Sequence, residues 1–422
     1  MLSVNDNELL VRTGPETAMG DLLRRFWVPA LLSEEVPEPD GAPVRVRIMG
    51  EDVVAFRETT GEVGLVGARC PHRGAELYWG RNEECGLRCV YHGWKFDTEG
   101  RCLDMPSEPP ESRFPEKIRL TAYPARDFGG IVWAYMGPKE LPTPELPMLE
   151  FALVAEERRF VSKKLQECNW AQAVEGAIDT AHFSFLHMPV EVPEAAPPSV
   201  RWMKNDGAPR FTVEPHDAGF VVGASRRADE EMLYWRITQF LLPIHSLAPG
   251  SERGQNMNGQ TWVPIDDEHC WVYCYTWNPE RAISEGERAQ MRAGFGIHPE
   301  LGPGYLPVRN RANEYLLDRD DQRTKSFTGV RGISEQDACI QDSQGRIYDR
   351  SHEHLGTTDI AIIEFRKLML RMARELREGQ EPSQARNGAA YLVRSGAATG
   401  HRDLAFAEVA KGVVLVPGVV AD

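Results

Sequence analysis

Two short segments of the chain each combine a thiol with an imidazole. "CPHRG" (70–74) contains Cys70 and His72, and "CVYHGW" (89–94) contains Cys89 and His92, with sixteen residues between the pairs. A zinc finger usually pairs like with like, two cysteines from one turn and two histidines from a helix. A [2Fe–2S] centre with thiolates on one iron and imidazoles on the other needs one ligand of each kind from each loop, if both loops contact both irons. The mixed pairs therefore predict this iron–sulfur centre, with a zinc site and four unrelated turn residues as the alternatives.

A second group of metal-ligand types lies in "NWAQAVEGAIDTAHFSFLH" (169–187). On a helix, Glu175, Asp179 and His182 would share one face. His187 follows His182 by five positions, a step that rotates the second ring by about 140° on a regular helix. Both rings can reach one ion only if the helix ends or bulges between them. Taken alone, two histidines near a helix end are more often packing or surface residues.

A carboxylate that could complete such a site has to come from a distant segment. "GISEQDACIQDSQGRIYDRSHEHLGTTD" (332–359) supplies the candidates Glu335, Asp337, Asp342 and Asp349. The alternative role for Asp337 is a capping interaction with Ser334 at a helix start. His352 and His354 alternate in a polar loop, which favours solvated roles over metal binding.

The elements that must position these residues divide the chain into a small β domain and a larger α+β domain. Residues 44–136 are rich in β-formers interrupted by turn signals, and the proline-rich stretch 137–150 reads as a boundary. Beyond it, "FVVGASRR", "LYWRITQFLLP" and "HCWVYCYTWN" predict strands of a second sheet. "TDIAIIEFRKLMLRMARELREG" predicts a long amphipathic helix near the end. We expect the first domain to span 1–138, with a core at about 26–137, and the second to span 139–422.

Composition excludes several classes of protein. The chain has 422 residues, 42% of them hydrophobic and 26% charged, and a formal net charge of −15, which argues against a nucleic-acid surface. No apolar run is long enough to cross a membrane, and the start lacks the basic and apolar segments of a secretory signal. The eight cysteines then indicate reduced thiols or metal ligands, and a cytoplasmic location. There is no GxGxxG fingerprint, so no built-in flavin or nicotinamide site is indicated.

These motifs together resemble one family, the Rieske non-haem iron aromatic-ring oxygenases. The blocks "NELLVRTGPETAMGDLLRRFWVPAL", "CNWAQAVEGAIDTAHFSFLH" and "EQDACIQDSQGRIYDRSHEHLG" are similar to α subunits of the phthalate dioxygenase type. Respiratory Rieske proteins carry an extra disulfide-forming cysteine beside each ligand pair. Here Ala75 and Tyr91 occupy those neighbourhoods, which favours the oxygenase branch.

The resemblance implies a fold and two cofactors. The fold is an N-terminal Rieske β domain followed by a helix-grip catalytic domain with an antiparallel sheet and long C-terminal helices. A Rieske [2Fe–2S] cluster would bind to Cys70, His72, Cys89 and His92. A mononuclear non-haem Fe(II) would bind to His182, His187 and Asp337, a two-histidine, one-carboxylate triad, with Asp342 as the next candidate carboxylate.

The resemblance also implies how the protein works. Asp179 would link His182 to a Rieske histidine of a neighbouring subunit, in a homotrimer or a stack of trimers. A separate NAD(P)H-dependent reductase would supply electrons for O2-dependent hydroxylation or O-demethylation of an aromatic acid. Quaternary amines and sterols are alternative substrates, and an electron carrier with only the cluster active is the non-enzymatic alternative. A substrate carboxylate would favour an arginine in the pocket, but we expect the candidates Arg226, Arg227 and Arg236 to be surface residues.

Overall fold

The chain forms two successive regions of β structure, with helices before, between and within them. The computed structural model describes residues 1–249 and 255–416. The helices are α1 (Val4–Val11), α2 (Ala18–Leu23), α3 (Glu150–Leu153), α4 (Trp170–Ile178), α5 (Pro198–Asn205), α6 (Glu285–Arg292), α7 (Arg319–Thr324), α8 (Ile333–Ser343), α9 (Ile360–Arg377) and α10 (Phe406–Val414). Within the described part of the chain, none of these helices combines the length and apolar composition needed to cross a bilayer.

The first β region contains three small antiparallel sheets. Its strands are β1 (Trp27–Leu32), β2 (Val44–Ile48), β3 (Glu51–Arg57), β4 (Val63–Gly67), β5 (Arg81–Glu83), β6 (Gly86–Arg88), β7 (Lys95–Phe96), β8 (Cys102–Asp104), β9 (Ala122–Tyr123), β10 (Ala125–Phe128) and β11 (Ile131–Tyr135). They pair in the orders β2-β3-β4-β9, β5-β6-β7-β8 and β1-β11-β10. The first two sheets enclose their own apolar core, which includes Val54, Phe56, Phe96 and the two cysteines Cys70 and Cys89. The predicted β region at 44–136 is therefore present.

The second region is built on one eight-stranded antiparallel sheet. Its strands are β12 (Arg159–Gln166), β13 (Arg210–His216), β14 (Gly219–Arg227), β15 (Met232–Leu241), β16 (His245–Ala248), β17 (Met257–Pro264), β18 (Cys270–Trp277) and β19 (Gly396–His401). The order is β12-β18-β17-β16-β15-β14-β13, and β19 pairs with β15 beside β16. The three strands expected from the sequence correspond to β14, β15 and β18.

Helices cover both faces of this sheet. On one face, Phe365 of α9 packs between Trp170 of α4 and Phe240 of β15, with ring centroids 5.9 and 5.1 Å away. On the other face, Phe406 of α10 contacts Trp235 of β15. Residues 235 and 240 differ in parity, so the period of two along a strand places them on opposite faces. The expected α+β fold with an antiparallel catalytic sheet is confirmed, and α9 is its long C-terminal helix.

The first 25 residues contact the second region as well as the small sheets, where Arg24 pairs with Glu51 (2.8 Å). Helices α1 and α2 pack on α9, and Leu10, Leu22 and Leu23 belong to an apolar core that joins residues of the larger region to residues of β1, β3 and β11. The side-chain amide of Asn169 also donates to the carbonyl of Val11 (3.0 Å). Our division between residues 138 and 139 remains a prediction, because the part before it contributes helices to the core after it.

Candidate functional site

The two Cys/His segments form matching loops at one end of the small domain. Cys70 N–H donates to Ala75 O and Cys89 N–H donates to Trp94 O, both at 2.8 Å. The glycine of each loop, Gly74 or Gly93, has a positive φ of 72° or 78°, which closes the turn at little steric cost. Each loop therefore presents one cysteine and one histidine from a similar backbone turn.

The two thiols are buried, and the two imidazole rings, which are partly exposed, lie against each other. Cys70 and Cys89 are each 3% exposed, and the His72 and His92 rings lie 4.4 Å apart. Trp94 stacks on His72, also at 4.4 Å, and its ring N–H donates to Ser107 on a third loop. The indole thus covers one side of this group.

The donor set fits an iron–sulfur cluster. Within the described residues, the Nδ1 atom of His92 is buried and has no hydrogen-bond partner. Burial, and next the adjacent Cys89, raises the pKa of the Cys70 thiol to about 11. A buried imidazole nitrogen without a protein partner and two buried thiols are groups that metal ligation would satisfy. The expected ligands Cys70, His72, Cys89 and His92 are brought together, and all eight cysteines are free of disulfides.

The second set of ligands depends on where α4 ends. Asn169 caps its start by accepting from Ala171 N–H, and the helix stops at Ile178. Asp179 takes an extended conformation, and its Oδ1 accepts from Ala181 N–H at 2.7 Å, a local turn that competes with helix. The expectation that Glu175, Asp179 and His182 share one face of a continuous helix is wrong for this reason.

The break brings the two histidine rings face to edge. His182 begins a single 3-10 turn, His182–Ser184, and its carbonyl accepts from the N–H groups of Phe185 and Leu186. The chain then returns, so that Nε2 of His182 and Nε2 of His187 are 3.1 Å apart. Two nitrogens bound at about 2.1 Å to one ion, roughly at right angles, would lie about 3 Å from each other.

Asp337 supplies the carboxylate from the first turns of α8. Its Oδ1 lies 3.1 Å from His187 Nε2 and 3.6 Å from His182 Nε2, and the three ligand atoms lie within 4.8 Å of one another. Although burial favours the neutral acid, the imidazoles of His187 and His182 lower the pKa of Asp337. Burial opposes protonation of His187, but Asp337 raises its pKa. Two imidazole nitrogens and one carboxylate oxygen converging in this way fit a divalent iron with open coordination positions.

Other roles considered for this segment do not match the geometry. Helix α8 begins after Gly332 without a side-chain cap, and Ser334 instead accepts from Lys164 Nζ (2.7 Å), so the capping alternative for Asp337 is wrong. Asp342 accepts a hydrogen bond from the hydroxyl of buried Tyr315 and does not join the triad.

Glu175 and the two later histidines lie apart from the triad. Glu175 forms buried ion pairs with Arg350 (2.9 Å) and Arg366 (2.7 Å). The side chain of His352 is 87% exposed and His354 is also exposed, as expected for a polar loop.

Close contact between α4 and α8 fixes the distance between the histidines and Asp337. A Cβ added at Gly176 would overlap the side-chain amide of Gln341, so the glycine lets this amide lie against α4. Gln341 in turn accepts from Gln166 Nε2 (2.5 Å), and its carbonyl accepts from Gln172 Nε2 (3.0 Å). Asp337 lies one helical turn before Gln341 on the same face of α8.

Two arginines that we expected at the surface are buried beside the triad. Arg226 is 0% exposed and Arg236 is 4% exposed, whereas Arg227 is exposed. In the register of β14 and β15, Arg226 lies opposite Tyr234 and Ala224 lies opposite Arg236, which puts both guanidinium groups on the α4 face of the sheet. The alternation of inward positions along each strand was the sequence signal that could have located them.

The two guanidinium groups lack acidic partners. Across residues 1–249 and 255–416, neither forms an ion pair within 4.0 Å, and Arg226 Nη1 and Arg236 Nε have no hydrogen-bond partner. Arg236 lies over the ring of Phe183 at 4.0 Å, and this ring contacts both His182 and His187 at 4.7 Å. Burial, and then the charge of Arg236, lowers the pKa of Arg226 to about 10. Unpaired buried cations of this kind mark a place for an anion.

Comparison with known proteins gives matches over most of the chain. Residues 26–124 match the Rieske [2Fe-2S] domain model, and residues 134–390 match the model described as "LigXa C-terminal domain like". The phthalate 4,5-dioxygenase oxygenase subunit of Pseudomonas putida is 42% identical over 88% of this chain and 86% of its own. The 3-chlorobenzoate-3,4-dioxygenase oxygenase subunit of Comamonas testosteroni is 39% identical over 89% of each.

A solved structure supports the fold independently. The NdmA QL mutant of Pseudomonas putida CBB5 with theobromine superposes with a TM-score of 0.63 at 18% identity, covering 92% of this chain and 99% of that one. At this identity the likeness concerns the fold alone.

Proposed function

Since the chain belongs to the Rieske non-haem iron oxygenases of the phthalate dioxygenase type, we propose that it hydroxylates or O-demethylates an aromatic carboxylic acid. It acts as the oxygenase component, with O2 as cosubstrate and a separate NAD(P)H-dependent reductase as the electron source. Relatives named for phthalate and chlorobenzoate support an aromatic acid.

Each cofactor is assigned its own residues in this proposal. Cys70, His72, Cys89 and His92 hold the Rieske [2Fe–2S] cluster; His182, His187 and Asp337 hold Fe(II). When bound, the cluster supplies stored electrons and the iron supplies a site for O2 activation beside the substrate. The protein orients the iron ligands through Asp179, whose Oδ2 lies 3.2 Å from Nδ1 of His182.

The observation that carries the substrate class is the buried pair Arg226 and Arg236. Arg226 already donates to the carbonyl of Thr180 and to the hydroxyl of Ser184, so part of its role is to hold the loop that carries His182. Arg236 has no such duty and contacts the aromatic ring of Phe183 beside the ligands. We assign Arg236, assisted by Nη1 of Arg226, to the substrate carboxylate, which a guanidinium can bind through two parallel hydrogen bonds.

The same observation separates this proposal from its alternatives. A quaternary ammonium substrate would be repelled by two buried cations, and it favours an aromatic or acidic cage. A sterol carries no negative charge that could neutralise the two buried guanidinium groups. An electron carrier with only the cluster active would have no use for two imidazoles and a carboxylate converging on one point.

The test compares aromatic acids with their neutral amides in the reductase-coupled reaction, with products followed by mass spectrometry. We expect turnover of acids only. Arg236→Gln should reduce kcat/KM for the acid at least about 30-fold, because losing a buried charge partner costs about 2–5 kcal/mol. Arg227→Gln is the matched control, an exposed arginine on the neighbouring strand, and should change little. Equal turnover of acids and amides, or equal effects of the two variants, would contradict the assignment.

The assembly we propose is a homotrimer or a stack of trimers, in the cytoplasm. At the tip of the second Rieske loop, Val90 and Tyr91 are 58% and 54% exposed and lie between Cys89 and His92 in the chain, so this tip is available to a neighbouring subunit. We assign Asp179 to the contact between that tip and His182. Sedimentation of the purified oxygenase tests the trimer; a monomer with full activity would contradict the role of the neighbour. The free thiols of all eight cysteines are consistent with a reducing compartment.

For the domains, we propose residues 1–138 for the N-terminal segment with the Rieske domain and 139–422 for the catalytic domain. The separate apolar core around Cys70 and Cys89 supports this division.

A further inference from the structure

The two histidines of the triad are held by acceptors of different charge. His182 Nδ1 faces the carboxylate of Asp179, whereas His187 Nδ1 lies 2.7 Å from Oε1 of Gln336, a neutral amide. Gln336 is 8% exposed and precedes Asp337 on α8. Consecutive residues of one helix therefore contact opposite nitrogens of the same ring, Gln336 at Nδ1 and Asp337 at Nε2.

The second hydrogen bond of Gln336 fixes which way its amide faces. Nε2 of Gln336 donates to the carbonyl of Val330 at 2.8 Å in a buried contact. A carbonyl only accepts, so the amide nitrogen must face Val330 and the amide oxygen must face His187. His187 Nδ1 then has to be the protonated, donating nitrogen. Its Nε2, on the opposite edge of the ring, faces His182 Nε2 and Asp337 Oδ1, and in the neutral tautomer with Nδ1 protonated it carries the lone pair that can bind a metal.

We propose that Gln336 is a positioning residue that sets the tautomer and orientation of His187 for metal binding. This inference rests on the proposed function, because it takes His187 to be an iron ligand. The neutral amide of Gln336 orients the His187 ring through one hydrogen bond at Nδ1, whereas His182 Nδ1 faces the carboxylate of Asp179. Partners of this kind, behind a metal ligand, typically change metal affinity by about 10–100-fold when they are removed.

Two variants separate this role from simple anchoring of the loop at Val330. Gln336→Met keeps the length of the side chain and removes both hydrogen bonds. Gln336→Glu restores an acceptor for His187 Nδ1 but has no donor for Val330 at neutral pH. Gln344→Met is the control, since Gln344 is an exposed glutamine at the C-terminal end of the same helix.

The measurement is Co(II) affinity of the cluster-loaded protein after removal of mononuclear iron, with the visible spectrum of the cluster as the check on folding. We expect Gln336→Met to weaken Co(II) binding about 10–100-fold, Gln336→Glu to recover most of that loss, and Gln344→Met to match the wild type. Wild-type affinity in Gln336→Met would overturn the proposal. Equal weakening in the Met and Glu variants would also overturn it, because the bond to Val330 would then account for the effect.

A failure of the proposed function has a different signature. If the wild type and a His182→Ala variant bind Co(II) equally, the triad itself is misassigned, whatever Gln336 does.

Discussion

Replacing Glu175 with glutamine should destabilise the catalytic domain while leaving the Rieske domain intact. The carboxylate lies between two arginines, with Arg350 Nε at 2.9 Å and Arg366 Nε at 2.7 Å, and all three side chains are less than 10% exposed. Although burial favours the neutral acid, Arg350 and Arg366 lower the pKa of Glu175. The variant keeps the shape of the side chain and removes its charge.

The size of the effect follows from what each arginine retains. Arg366 keeps an ion pair with Glu353. Arg350 keeps only neutral acceptors, the side chain of Asn7 and the carbonyl of Tyr348. Removing one partner of a buried ion pair costs about 3–5 kcal/mol, so we expect the free energy of unfolding of the second domain to fall by about 3–4 kcal/mol.

Hydrogen exchange of the α4 and α9 amides, read by mass spectrometry, measures this change domain by domain. The control is Glu116→Gln, the same substitution in an ion pair with Arg113 whose side chains are 61% and 81% exposed; such pairs contribute about 0–1 kcal/mol. A difference below about 1 kcal/mol between wild type and Glu175→Gln at pH 7 would refute the reasoning. So would equal losses in the two variants.

The same network predicts a pH dependence. The folded-state pKa of Glu175 is lower than its ordinary value, so its stabilisation is fully present above the unfolded pKa of about 4.3. It is lost as the pH falls through the lower folded value. The advantage of the wild type over Glu175→Gln should therefore shrink below about pH 4.

Four further predictions concern the metal sites. His72→Cys should abolish the cluster spectrum but leave Co(II) binding in the second domain; loss of both from a folded protein would count against two independent sites. Asp337→Ala should lower mononuclear iron occupancy and turnover with the cluster spectrum intact, whereas Asp342→Ala keeps the metal; the reverse result, by iron analysis, would move the third ligand. Asp179→Asn should keep trimer and cluster but slow product formation in single turnover, and a normal rate of cluster oxidation with normal yield would exclude its linking role. Gly176→Ala should displace the Gln341 side chain between α4 and α8 and weaken Co(II) binding about tenfold or more, so unchanged affinity would contradict the packing argument.

Local sequence patterns were sufficient where a site is built from adjacent residues. The Rieske loops are of this kind, because the ligand pairs, the glycines and Trp94 all lie within 70–94 and their spacing reflects one cluster. Periodicity likewise identified the strands β14, β15 and β18 and the helix α9.

Patterns failed where tertiary contacts decide the outcome. Residues 169–187 have helical composition, yet the side chain of Asp179 closes a local turn on Ala181 N–H and ends the helix. Arginine is usually exposed, so composition suggested surface positions for Arg226 and Arg236, and only the inward phase of their strands indicates burial. The neutral acceptor Gln336 carries no ligand signature at all, and its role is visible only from the contact with His187.

The packing of the N-terminal helices on α9 bears on the order in which the protein is made. The side chain of Asn7 bonds to the carbonyl of Tyr348, 341 positions later in the chain, so this contact of α1 cannot form until most of the protein has been synthesised. The small β domain needs no such wait, because its core and all four cluster ligands lie before residue 125.

Because the ribosome adds about 5–20 residues per second, His92 is synthesised roughly 10–50 s before Asp337. The cluster can therefore be assembled on a nascent chain whose second iron site does not yet exist. In the proposed assignment, the last ligand to leave the ribosome is the carboxylate of Asp337, so the protein would acquire its capacity to store electrons before its capacity to react with oxygen.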